Sequence, residues 1–326
     1  MVACRTIRAN LGGRHSEMVC WRRIVVRNRE WTLDRVRGVV FMSRGAFFVL
    51  DAHDVYLPTA FAQSVWSDCM ISGPAVAAAA ARSLEHEFGA EEFQPARLTV
   101  DLFAPVRNEP LVVQTEEIRS GNRIRVADAR LIQGGKAVAR ATFVQLRRGE
   151  QPPGTVWRSG RELAAPADAD PVETGPGTNV FFGSGEPGPS WDRDMGVHQN
   201  DQRKRFWIHP LDVVEGEPAS PFQRAVIVSE STSLMTHWGD EGIGFINADL
   251  TVALARLPRS GDIGIEADEH VSADGVAVGT ASLFDRDGIF GTGTVVAVSN
   301  AGRQIDFTRR RADGDDRPGS DEATRV

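Results

Sequence analysis

INADLTVALARLP, residues 246–258, restates a phrase met about 150 positions earlier as ARLTVDLFAPV, residues 96–106. A shift of 152 places Leu98, Thr99, Val100 and Leu102 on Leu250, Thr251, Val252 and Leu254. It also places Val126 on Val278, Ala129 on Ala281 and Leu131 on Leu283. One inserted residue later, Gly135 meets Gly288 in two matching turns. A register held over that distance indicates two copies of one domain-sized unit, the period being too long for a solenoid. The copies differ at the strand's entrance, which is Asp249 in the second and Arg97 in the first.

Each copy presents its signals in the same order. A helix candidate comes first, SGPAVAAAAARSLEHEF at 72–88 and SPFQRAVIVSESTSLMTHW at 220–238. Both open on Ser with an early Pro, which are helix-start residues. Strand-like runs follow; in the first copy they are ARLTVDLFAPV, PLVVQTEEIRSG, RIRVADARLIQ and KAVARATFVQLRR. Their alternation of apolar and polar residues fits a sheet covered on one face. The pattern predicts an α+β chain in which a long helix wrapped by a curled antiparallel sheet occurs twice. The copies are expected at 42–148 and 181–302, joined by a linker at 149–180 rich in Pro, Gly, Ala and Asp. HQNDQRKRFWIHPLDVV (198–214) is expected to supply the strands that open the second copy. The extension at 1–41 lacks periodicity, and the tail at 303–326 is charged and poor in apolar residues; both are expected to be poorly ordered.

The composition, 41% hydrophobic and 25% charged over 326 residues, is that of a globular protein. A net charge of −7 argues against nucleic acid as a partner. Only two lysines occur, Lys136 and Lys204. No run reaches a membrane span, and Cys4, Cys20 and Cys69 lack metal-ligand spacing and suit a reducing cytoplasm.

The phrases FQPARLTVDLFAPV, RVADARLIQGGKAVARAT, SPFQRAV, GFINADLTVALARLP and LFDRDGIFGTG carry a resemblance over roughly residues 46–300. The chain resembles the double hot-dog fold and, more narrowly, the acyl-CoA thioesterase II family with its related actinobacterial-type proteins. The resemblance implies hydrolysis of an acyl-CoA to free acid and CoA, with no cofactor beyond the CoA of the substrate. It also implies a homo-oligomer, a dimer or larger. In that family an Asp at the start of this second-copy strand activates the attacking water, and the matching position is Asp249. The family supports its Asp with a Thr and a Gln. Here the Thr position falls near His270 and the Gln position on Val295 or Val296, a departure from the family pattern.

A thioester carbonyl has little resonance stabilisation, so a positioned water, a base and an oxyanion donor suffice. Ser72-Gly73, at a helix start where Gly allows close approach, is the expected oxyanion site. The first helix is nearly all apolar, whereas the second carries Ser229, Glu230, Thr232, Ser233 and His237. Burying those groups requires hydrogen bonds or a wet cleft. Some single hot-dog thioesterases place a catalytic Glu on this helix, so Glu230 is a second candidate carboxylate. Ser233, His237, Asn247 and His270 complete the expected substrate-binding set, and Ala78, Leu234 and Phe245 are expected to line an acyl tunnel.

Simpler readings stand beside these. Asp249 fits a turn residue that bonds nearby amides. Arg203, Lys204 and Arg205 fit either a solvated run or contacts to CoA phosphates. His53 and His86 read as surface residues, His198 and His209 show no metal spacing, and Trp207 and Trp238 read as core. Two other functions share the scaffold, a hydratase or dehydratase and a non-catalytic acyl-thioester binding protein. No Asp here has the following His of the hydratases, and the missing Gln favours the binding protein.

Overall fold

The computed structural model describes residues 45–64, 66, 67, 69–169, 177–185 and 191–308. A separate pair of two-residue strands, Val25–Val26 and Arg29–Glu30, precedes them. The rest of the expected N-terminal extension, and the tail beyond residue 308, lie outside the described residues.

The first copy contains β1 (Ala46–Ala52), β2 (Val55–Pro58), α1 (Gly73–Phe88), β3 (Phe93–Leu102), β4 (Leu111–Ser120), β5 (Ile124–Gln133) and β6 (Lys136–Arg147). The second contains β7 (Thr178–Ser184), β8 (Lys204–His209), β9 (Asp212–Val214), α2 (Pro221–Glu230), α3 (Thr232–His237), β10 (Phe245–Asn247), β11 (Asp249–Leu254), β12 (Ile263–Ala273), β13 (Val276–Asp285) and β14 (Gly288–Ser299). One sheet runs β7-β8-β12-β13-β14-β11-β3-β6-β5-β4-β2-β1. Replacing each strand by its counterpart in the other copy gives the same order read from the other end. β9 adds to the edge in parallel with β1, and β10 pairs with β14. A mostly sheet protein with few helices results.

The copies join where β3 lies antiparallel to β11, with Leu250 opposite Val100, Thr251 opposite Thr99 and Val252 opposite Leu98. Thr99 and Thr251 are equivalent by the 152-residue shift, and their hydroxyls stand 3.0 Å apart. A local two-fold axis therefore passes between them. Leu98, Val100, Leu250, Val252 and Leu254 are buried, as the period of two requires. α1 packs on β4, β5 and β6 through residues 75–81, six alanines and Val76, all buried.

The second helix differs from the single helix expected over 220–238. It breaks at Ser231 and ends at His237. Ser229 Oγ donates to Val226 O (2.8 Å), Thr232 Oγ1 to Ser229 O (2.6 Å) and Thr236 Oγ1 to Thr232 O (2.7 Å). Such hydroxyl bonds to the carbonyl one turn back bend helices. α1 and α2 run antiparallel side by side, with Glu85 near the end of α1 meeting Ser220 and Gln223 at the start of α2.

Between the copies, Arg161 and Ala169 pack against the second one. Arg161 pairs with Glu266 and Asp268, and Ala169 is buried with Phe181, Trp207 and Phe284. A strand earlier than the expected 198–214 segment, β7, opens this copy. Past residue 302, Ile305 is buried against Ile243. Trp207 and Trp238 are both core residues. No helix among the described residues is long and apolar enough to cross a membrane.

Arg256 fixes the far end of β11. Its two Nη atoms each donate to Asp285 at 2.7 Å, and the Arg259 and Asp287 amides add bonds of 2.9 Å each. Burial alone would raise the Asp285 carboxyl, but these bonds hold it below its ordinary value of 3.8. Asp285 is 1% exposed, so Arg256→Met strands a buried carboxylate. Urea unfolding should show a loss of about 3 kcal/mol at pH 7. A depressed carboxyl stabilises above its unfolded value, so the gap should close as pH falls below 3.8.

Candidate active site

The two helix starts are treated differently. At α2 the Ser220 Oγ accepts from Gln223 N (3.1 Å), the Gln223 Oε1 accepts from Ser220 N (3.4 Å), and Glu85 Oε2 accepts from Ser220 Oγ (2.6 Å) and Gln223 Nε2 (2.8 Å). That helix start is sealed. At α1 the Ser72 hydroxyl makes no capping bond and Pro74 has no N–H, so the Gly73 and Ala75 amides have no side-chain cap.

Glu230, the last residue of α2, lies against this open start. A Cβ on Gly73 would stand 1.9 Å from Glu230 Oε1 and 2.5 Å from Cδ, so only glycine admits the carboxylate there. Glu230 keeps a partial opening to solvent but sits deep among protein atoms, and that burial pushes its carboxyl up to about 7. The hydrogen bond from Asn247 Nδ2 (3.3 Å) pulls weakly the other way. The same Nδ2 lies 3.4 Å from Asp249 O, so Asn247 ties the helix end to the start of β11.

Asp249 has a different partner. Its Oδ1 accepts from Val296 N at 2.7 Å, while Ala248 N donates to Val296 O. The carboxylate thus stands in for a ladder acceptor where β10 gives way to β11. Its Cα lies opposite Asp101. Burial raises the Asp249 carboxyl, the Val296 bond lowers it and Asp101 raises it again, with a net rise. Arg97, its first-copy counterpart, is exposed and opposite Ala253.

His270, Gly279 and Val295 form one cross-strand row, so His270, near the expected Thr position, shares a row with Val295, one of the two positions expected for the Gln. Of Val295 and Val296, only Val295 is buried. A Cβ on Gly279 would meet Thr236 Oγ1 at 2.0 Å, so α3 rests directly on the sheet. The buried His237 ring sits 5.3 Å from that of Phe245 and 5.2 Å from that of His270. Ser233, half-buried, follows Glu230 by one turn. Ala78 is buried among the helix–sheet contacts and Leu234 packs at the edge of the core.

Several other expected residues lie apart from this site. Lys204 and Arg205 are neither solvated nor free for phosphates. Lys204, 1% exposed, donates to Asn200 O (2.7 Å) and Asn200 Oδ1 (2.9 Å), and Arg205 lies 3.6 Å from Glu266. His198 bonds Ser184 and His209 bonds Asp262. His53, His86 and Glu87 form an exposed group with His53 Nε2 3.2 Å from His86 Nδ1. That group is about 20 Å along α1 from Gly73. A cavity of about 170 Å³ lies beside Glu85, lined also by Gly89, Phe93, Pro95, Gln145 and Leu257, at the opposite end of the helix pair from Glu230.

The family model for the acyl-CoA thioesterase N-terminal domain matches residues 62–146, and that for the C-terminal domain matches residues 158–298. The chain belongs to the acyl-CoA thioesterase family. Solved structures place this thioesterase-family chain among hot-dog proteins. A tesB protein of Mycobacterium avium subspecies paratuberculosis is 13% identical with TM-score 0.54, covering 77% of this chain and 95% of that one. Acyl-CoA thioesterase II TesB2 of Mycobacterium marinum is 15% identical with TM-score 0.51, covering 77% and 94%. A hot-dog protein of unknown function from Alicyclobacillus acidocaldarius is 16% identical with TM-score 0.56, covering 77% and 95%. No curated protein sequence matches. These structures share the fold.

Proposed function

We propose that this thioesterase-family chain hydrolyses an acyl-CoA, with Glu230 as general base. Its carboxylate lodged against the uncapped start of α1 is the observation that carries the reading. A water held by the Glu230 carboxylate beside that helix start attacks the thioester carbon and passes its proton to Glu230. The Gly73 and Ala75 amides hold the oxyanion. The C–S bond then breaks, and the proton on Glu230 goes to the leaving CoA thiolate. A carboxyl at about 7 exchanges that proton readily near neutral pH.

Asp249 is a positioning residue that holds Val296 and, through its carbonyl, Asn247. The same proposal includes a double hot-dog with each helix gripped by its curled half-sheet, assembly as a homo-oligomer, and a cytoplasmic setting.

CoA release followed with a thiol-reactive dye across a panel of acyl-CoAs tests this reading. Asp249→Asn keeps an Oδ1 acceptor for Val296 and should cost less than about tenfold in kcat, against the roughly 10²–10⁴-fold of a lost base. Release from no substrate would leave the buried Val295 as support for an acyl-thioester binding protein instead.

A further inference from the structure

His237 is 5% exposed, and neither of its ring nitrogens has a hydrogen-bond partner among the described residues. Buried polar groups are nearly always paired, so two unmatched atoms on one side chain need a physical reason. The two rings against it make no hydrogen bond to it. Phe245 offers only a ring face or edge, and His270 meets it ring to ring at 82°.

The ring lies beside the proposed catalytic site. His237 follows Glu230 by seven residues, two helical turns, across the break at Ser231. Phe245, which touches His237, is two residues before Asn247, which bonds Glu230. Two residues on one strand share a face about 7 Å apart. His237 therefore lies within reach of a group a few bonds from the carbonyl carbon of a thioester held at Glu230.

We infer that His237 is a substrate-positioning residue that makes one hydrogen bond, through one ring nitrogen, to a neutral polar group near the thioester. Burial, with a smaller push from His270, holds the imidazole down to about 4, so it is neutral at working pH, with one N–H and one lone pair. A carboxylate would match only the N–H. Two neutral groups can meet one of its nitrogens as donor or acceptor, the amide of the CoA pantetheine arm nearest the sulfur and a hydroxyl on the acyl chain. The inference rests on the thioesterase reading of Glu230.

The test compares four thioesters, butyryl and 3-hydroxybutyryl, each on CoA and on ethanethiol, with the unmutated protein and His237→Leu. If the pantetheine amide is the partner, kcat/KM should fall about tenfold for both CoA esters and for neither ethyl thioester. If the acyl hydroxyl is the partner, the fall should appear for both 3-hydroxybutyryl esters and neither butyryl ester. An equal change in all four, or none, overturns the inference. His237→Gln, which restores a donor and an acceptor, should recover part of the loss, and melting temperatures identify a variant that is merely misfolded. Should the unmutated protein hydrolyse none of the four and no acyl-CoA of the wider panel, the Glu230 reading fails. Calorimetry with butyryl-CoA and 3-hydroxybutyryl-CoA then decides the His237 inference alone, a tenfold weaker Kd in His237→Leu for either ester supporting it and unchanged affinity for both overturning it.

Discussion

Glu230→Gln should lower kcat for acyl-CoA hydrolysis by about 10²–10⁴-fold, the contribution of a positioned general base. The amide fills the same space against Gly73 but accepts no proton from water. The substitution should also stabilise the protein at higher pH. The folded carboxyl sits at about 7 and its ordinary value is 4.5, so burial favours the protonated form. The stability that proton supplies is complete below 4.5 and is lost as pH rises through 7. The difference in denaturation midpoint in favour of the Glu230→Gln variant should thus open between those values and stay level above them. A carboxylate with a structural role alone would lower stability when replaced and leave the rate per folded molecule unchanged.

Gly73→Ala should reduce kcat/KM by about 100-fold, the scale of displacing a catalytic group by an ångström. The added methyl would stand 1.9 Å from Glu230 Oε1, so the carboxylate or the start of α1 has to move. Gly73 does not have the positive φ that penalises side chains, and Ala is the better helix former, so the fold itself should tolerate the change. The decisive comparison is with Gly73→Ala combined with Glu230→Gln. If the two residues act as one site, the double variant should be no slower than Glu230→Gln alone. Losses that multiply would separate Gly73 from Glu230.

The duplication was legible because it resides in strands. Leu98 to Leu102 and Leu250 to Leu254 keep one register, and the structure sets Thr99 directly opposite Thr251. The polar load of the second helix was also visible, and Ser229, Thr232 and Thr236 do bond within it. The break those bonds impose at Ser231 was not visible, since helix periodicity continues through 238 on paper. Lys204 and Arg205 were misread because Lys204 folds back onto Asn200, four residues earlier, and Arg205 meets Glu266 on a distant strand. The contact of Gly73 with Glu230 depends on how two helices 157 positions apart pair, which no local pattern encodes. Asp249 carried two readings, and its bond to Val296 explains why an Asp at a strand entrance looks the same in either.

The most direct test is kcat/KM for butyryl-CoA in the unmutated protein from pH 5 to 9, since it depends on no substituted fold. Glu230 as base predicts a limb rising about tenfold per pH unit that levels near 7. A rate already level at about pH 5.5 would mean a base of ordinary carboxylate acidity and would contradict the assignment to Glu230.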